Sequence, residues 1–131
     1  MKIGIDKNNL GMLLLKICLA AILLVHGVAG MFNGGITGFG GYLSSQGFGI
    51  FGVFLAWFIK LSHVATAISI LIRKWHIFFC ALTIFILFAG IIMVHLPNGW
   101  FVVGGGSNGI EFNLLLICSL VVIMSEKRQN P

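Results

Sequence analysis

His95-Leu96-Pro97-Asn98-Gly99-Trp100-Phe101 closes one long apolar run, and ten residues past Phe101 the carboxylate of Glu111 opens the next. Pro97 cannot continue a regular helix and Gly99 tolerates a reversal, so the chain turns here. Trp100 and Phe101 are the ring types that gather at a membrane–water boundary. A turn of this kind, with hydrocarbon-loving sequence on both sides, makes the flanking runs helices that cross a bilayer.

The rest of the composition agrees. Of 131 residues, 59% are hydrophobic and only 8% charged, against about 25% charged in soluble domains. So few polar groups cannot cover a soluble core, and lipid has to act as the solvent. The length suits one domain, residues 1–131. The net charge of +5 does not mark a nucleic-acid protein. Lys2, Lys7, Lys16, Lys60, Arg73, Lys74, Lys127 and Arg128 mostly flank apolar runs, which is how topology signals are distributed.

Four spans follow, at about 10–32, 48–72, 77–95 and 109–124. Lys16 interrupts the first and is expected to snorkel back to the headgroups. A cleaved signal peptide ending at Gly27-Val28-Ala29 is the weaker reading, because cleavage leaves an odd number of spans. Residues 33–47 carry no charge and predict a short amphipathic helix on the outer leaflet. Thr37 would cap it, Gly47 would end it, and Phe39, Tyr42 and Leu43 would share a face. Apart from Lys16 and Lys60, every Lys and Arg lies near the N-terminus, at the 73–74 turn or near the C-terminus. The positive-inside rule then puts both termini in the cytoplasm. The fold class expected is an all-α, antiparallel four-transmembrane-helix bundle with that short helix in its first outer loop.

Ionisable groups inside spans are costly and therefore candidates for function. Lys60 stands 13 residues before Arg73, roughly 20 Å above the cytoplasmic turn at helical rise. His63 lies one turn deeper on the same face. His26 and His95 end the first and third spans on the outer side, where Glu111 begins the fourth. Asp6 and Glu126 belong to the cytoplasmic side, so Glu111 is the carboxylate expected to meet Lys60, directly or through water. The structural alternatives are a dipole role for Glu111, a loop-carbonyl bond for His95, and helix packing beside Gly27 for His26 and His63. The spread of these groups over four helices argues against a metal site. Cys18, Cys80 and Cys118 stand singly in apolar runs, with no Cys-x-x-Cys pair, and read as small buried packing residues. No dinucleotide fingerprint is present.

These residues resemble the DoxX family. The resemblance rests on His26-Gly27, the glycine-rich stretch after it, His95 to Phe101, and the glycines leading to Glu111, and it covers about residues 10–123. It implies a small four-helix plasma-membrane protein that works as an oxidoreductase subunit. Two positions depart from the family pattern: Gly30 stands where many members have lysine, and Lys60 where many have glutamate.

The expected function is that of a membrane subunit of a redox system, binding a quinone or another apolar partner near the outer leaflet of a bacterial-type inner membrane. His26, Lys60, His95 and Glu111 are the candidate proton-handling residues. His63, Trp57, Asn98 and Phe101 are candidates for holding the ligand, with Phe58 and Trp100 as further aromatic surface. Besides lipid, the expected partner is a redox protein. The alternative is a non-catalytic assembly, chaperone or partner-binding protein, and a small transporter ranks last.

Overall fold

The computed structural model describes residues 7–127, so the flanking charges Lys2, Asp6 and Arg128 lie outside the described residues. Every regular element among the described residues is helical. The helices are α1 (Lys7–Val28), α2 (Gly35–Leu43), α3 (Gly52–Ile72), α4 (His76–Gly90) and α5 (Glu111–Ser125). Two π-helical turns, Ser44–Phe48 and Ile91–His95, each run into a short 3-10 turn, Gly49–Phe51 and Leu96–Asn98.

Three stretches are long and apolar enough to cross a membrane: Asn9–Val28, Gly35–Ile72 and His76–Asn98. The fourth expected span is shorter. With 15 residues, α5 measures about 22 Å at helical rise. The expected start at residue 109 is two residues early, because Gly109 and Ile110 still belong to the loop.

Helices α1, α3, α4 and α5 close a ring, with α1 on α3, α3 on α4, α4 on α5 and α5 back on α1. Its core is Leu19, Ala20 and Leu23 of α1, Ala67 and Ile70 of α3, Cys80 and Leu87 of α4, and Leu116, Leu120 and Ile123 of α5. The charges at one end give the directions. Glu126, just past α5, receives both Lys16 from the first half of α1 and Arg73 from the end of α3. So α3 and α5 finish where α1 starts, antiparallel to it. Lys16 does not snorkel: it is buried and paired with Glu126.

Hydroxyl groups join α3 to α4. Thr66 Oγ1 and Thr83 Oγ1 lie 2.7 Å apart, both fully buried. Thr66 Oγ1 also bonds the Ser62 carbonyl at 2.8 Å and the Phe79 carbonyl at 3.1 Å. Small polar residues of this kind are the usual adhesive between helices in lipid.

The short helix α2 departs from expectation in how it starts, ends and packs. Gly34, at φ 78°, precedes it, and Thr37 falls inside it. Helical turns carry on to Phe48, with Gly47 at φ 106° forming the bend. Its buried face is Ile36, Gly40 and Leu43, while Tyr42 stays exposed. That face lies on α3 and not only on lipid. A Cβ on Gly40 would stand 2.6 Å from the Val53 Cα, and one on Gly52 would strike the Gly40 carbonyl and the Ser44 hydroxyl.

The cysteines divide. Cys80 is buried as expected, but Cys18 and Cys118 are exposed on the outside of the ring.

Candidate functional site

Above the Thr66–Thr83 contact, the upper halves of the helices enclose a cavity of about 620 Å³. It falls within the ~300–1,000 Å³ typical of small-molecule sites. Phe39, Phe48, Phe58, Phe85 and Phe112 supply rings, and aliphatic side chains supply most of the remaining wall. Phe48, Phe58 and Phe85 are 40%, 44% and 71% exposed, so the cavity reaches the outer surface of the protein at these rings.

The polar side chains on the wall are few: His26, His63, His95, Asn108 and Asn113. His63 is the least satisfied of them. Both of its ring nitrogens are buried and neither has a hydrogen-bond partner. An imidazole always carries at least one N–H, and a buried unpaired donor costs ~1–3 kcal/mol. His26 is brought to a similar depth, because a Cβ on the adjacent Gly27 would lie 2.9 Å from the Lys60 carbonyl and 2.7 Å from Val64 Cγ2. The His26 ring faces Phe112 at 6.3 Å between centroids. Asn113 of α5 is buried and reaches the Leu87 carbonyl of α4 at a long 3.5 Å.

His95 sits in the second π turn and contacts the Asn108 carbonyl through Nδ1 at 2.9 Å. A carbonyl only accepts, so Nδ1 donates to it, and Nε2 is an acceptor when the ring carries that one proton. This is the loop-carbonyl bond that the sequence allowed. The same π turn leaves backbone carbonyls that side chains satisfy. Asn98 Nδ2 donates to the Val94 carbonyl at 2.7 Å, and the Tyr42 hydroxyl approaches that of Met93 at 3.5 Å. Both π turns border the cavity, through Phe48 in one and Met93, Val94 and His95 in the other. Such turns widen a helix and often mark functional sites.

Of the two forms of Lys60–Glu111 contact expected, direct or through water, the direct one is not made. Lys60 Nζ donates to the His26 carbonyl at 2.8 Å and stands 5.9 Å from the centroid of the Phe39 ring. His26 lies in the last turn of α1, where carbonyls lack intrahelical donors and the dipole is negative. A cation there is held by backbone and ring without a carboxylate. Glu111 Oε1 instead accepts the Val102 amide at 2.9 Å. Beside it, the Gly109, Ile110 and Glu111 amides donate to the Phe101, Gly99 and Trp100 carbonyls. The first turn of α5 is thereby capped by the loop before it. A side chain at Gly109 would collide with Trp100, so only glycine fits that crossing.

The cavity therefore gathers His26, His63 and His95 and leaves out Lys60, Glu111, Trp57, Asn98 and Phe101. Trp57 lies on the exposed side of α3, and the Phe101 ring covers Gly105. No group of three or more His, Cys, Asp or Glu residues that could hold a metal occurs among the described residues.

No family model, curated protein or solved structure matches this chain.

Asn113 and Phe112 did not enter the sequence reading. Asn113 had a signal: an amide inside an apolar run, in helical register with Leu116 and Leu120, has to face the bundle.

Proposed function

We propose that this chain is a four-span, DoxX-like protein of a bacterial-type plasma membrane, with both termini cytoplasmic. In this reading it is the membrane subunit of a redox system and binds a quinone in the cavity beneath the 99–110 loop. The observation that carries the proposal is His63, whose two buried, unpartnered nitrogens adjoin a ring-lined apolar space of ligand size.

The chemistry matches a quinone in three ways. Aromatic and aliphatic walls take up a flat ring and the start of an isoprenoid tail. A quinone carbonyl needs a donor, and the His63 N–H has no other acceptor. Reduction to the quinol adds two electrons and two protons, one proton on each oxygen. His95 Nε2, an acceptor when the ring carries its one proton on Nδ1, suits a quinol hydroxyl. The electrons come from a partner redox protein on the outer face.

Native mass spectrometry of the protein in mild detergent tests this. Quinone retained by the wild type and lost from His63→Leu is the expected result. Wild-type protein that binds no quinone even when it is added in excess overturns the reading.

A second reading is favoured by the polar groups that act on the chain's own backbone. Lys60, Glu111 and Asn98 are each engaged in helix or loop capping. A non-catalytic assembly or partner-binding protein needs no more than that. One stoichiometric protein partner with no redox ligand in the cavity would identify this case.

A further inference from the structure

We infer that the chain of the bound quinone leaves this cavity sideways, into lipid, through a slot between α3 and α4, so that the site exchanges its ligand with the bilayer. This rests on the reading of the cavity as a quinone site and adds the path of the chain.

The slot is bounded below and above. At its foot the Thr66 hydroxyl of α3 meets the Thr83 hydroxyl and the Phe79 carbonyl of α4. Above that level no side-chain hydrogen bond joins α3 to α4 among the described residues. The next tie is the 3.5 Å approach of the Tyr42 hydroxyl, on α2, to the Met93 carbonyl beyond α4. Phe58 of α3 and Phe85 of α4 lie between these ties, with Phe48 in the turns before α3. Each of the three is part of the cavity wall and is exposed on the outside.

Depth makes the slot an opening to hydrocarbon. Phe58 lies 15 residues before Arg73 and Phe85 nine after His76, about 22 and 14 Å along their helices. In the proposed topology both heights fall within the ~30 Å apolar layer. His63, 10 residues before Arg73, stands at ~15 Å. A ring held by its N–H therefore has the slot beside it at the same level.

The other edges suit a chain poorly. Two further wall residues are exposed, His26 in the last turn of α1 and Asn108 in the loop. Both are polar and lie at the outer end, where each methylene left in water would weaken binding about fourfold. The loop is also fastened, by Val102 to Glu111 and by His95 to Asn108, each at 2.9 Å, and by the backbone bonds from Gly109, Ile110 and Glu111. Passage through the slot asks only for turns of phenylalanine side chains, which break no hydrogen bond.

The experiment uses the wild-type protein in lipid nanodiscs and a quinone with a photoactivatable diazirine on its isoprenoid chain, a few carbons from the ring. Labelling that excess untagged quinone displaces should fall at Phe48, Phe58 or Phe85 and their neighbours. Displaceable labelling of the 99–110 loop or of α1 instead, or none in a protein that binds, overturns the slot while the quinone reading stands. Chain length gives a second measure, with binding followed by quenching of tryptophan fluorescence. Because the far part of the chain stays in lipid throughout, affinity per mole of lipid should differ by less than about threefold between a short and a long chain. A loss of about tenfold or more with the long chain, ~1.4 kcal/mol, means that the chain is confined and likewise overturns the slot. Failure of both chain lengths to bind overturns the slot and the quinone reading together.

Discussion

Lys60 Nζ meets a carbonyl in the last turn of α1, where the backbone oxygens have no helical donor and the dipole is negative. The Phe39 ring flanks the same ammonium. Lys60→Met keeps most of the side-chain volume and removes the donor. It should destabilise the protein by about 0.5–1.5 kcal/mol, seen as a lower unfolding midpoint in detergent, with quinone binding nearly intact. A complete loss of binding in a folded Lys60→Met protein would put this residue back into the site. Glu111 invites a sharper contrast. Glu111→Gln retains a carbonyl oxygen for the Val102 amide, whereas Glu111→Ala retains none. Hydrogen exchange over residues 100–109 should therefore rise in the alanine variant and stay near wild type in the glutamine variant. Equal exchange in both would show that the tether does not hold the loop. At this scale the sequence was readable in position and not in partnership. The depths of His26, His63, Lys60 and His95 follow from counting residues along helices. Which acceptor Lys60 takes depends on the exposed carbonyls at the end of α1, and backbone acceptors leave no trace in residue types.

Two glycine contacts set how closely the helices approach. Gly27 lets α1 lie against Lys60 and Val64 of α3, and Gly52 lets α3 pass the Gly40 carbonyl of α2. Gly52→Ala forces a methyl group against the Gly40 carbonyl and the Ser44 amide as well as the Ser44 hydroxyl, and the two backbone groups cannot yield as a side chain can. A loss of about 1–3 kcal/mol is expected, with α2 lifting from α3 and hydrogen exchange over residues 35–43 becoming faster. An unchanged melting point would mean that α2 moves without cost. The element boundaries were legible where apolar runs met Arg73-Lys74 or Pro97, since those residues cannot stay in hydrocarbon or in a helix. They were illegible at the π turns. Ser44–Phe48 and Ile91–His95 have no distinguishing composition. In Ile91–His95, Tyr42 from α2 and Asn98 one turn on bond carbonyls that a wider turn leaves over. The hydroxyl pair Thr66–Thr83 should matter little by itself. Thr66→Val is expected to cost about 0.6 kcal/mol, the mean for such bonds between membrane helices.

Across the whole molecule, the end opposite the cavity is gathered by one carboxylate. Glu126 Oε2 receives Lys16 from α1 and Arg73 from the α3–α4 turn, joining three helices. Glu126→Gln strands Lys16, whose side chain is 11% exposed, and should cost toward the lower end of the ~3–5 kcal/mol typical of a broken buried pair. Lys16→Met leaves Glu126 with Arg73 and should cost distinctly less. The reverse order in a denaturant titration would contradict the arrangement. This ion cluster could be foreseen only in part, because Glu126 reads as one of several charges flanking a span and Lys16 as a side chain that escapes to the headgroups.

Helix α5 has one more consequence. At about 22 Å it falls short of the ~30 Å hydrocarbon thickness of an ordinary bilayer. In the proposed topology, lipid beside it has to thin, or the helix has to recruit a neighbour to hide the mismatch. The water boundary on that flank then dips toward Asn113 and Phe112, so one side of the ligand chamber lies closer to the aqueous phase than the ring of helices alone would suggest. Reconstitution in lipids of graded acyl length should show this, with ligand exchange fastest in the thinnest membranes.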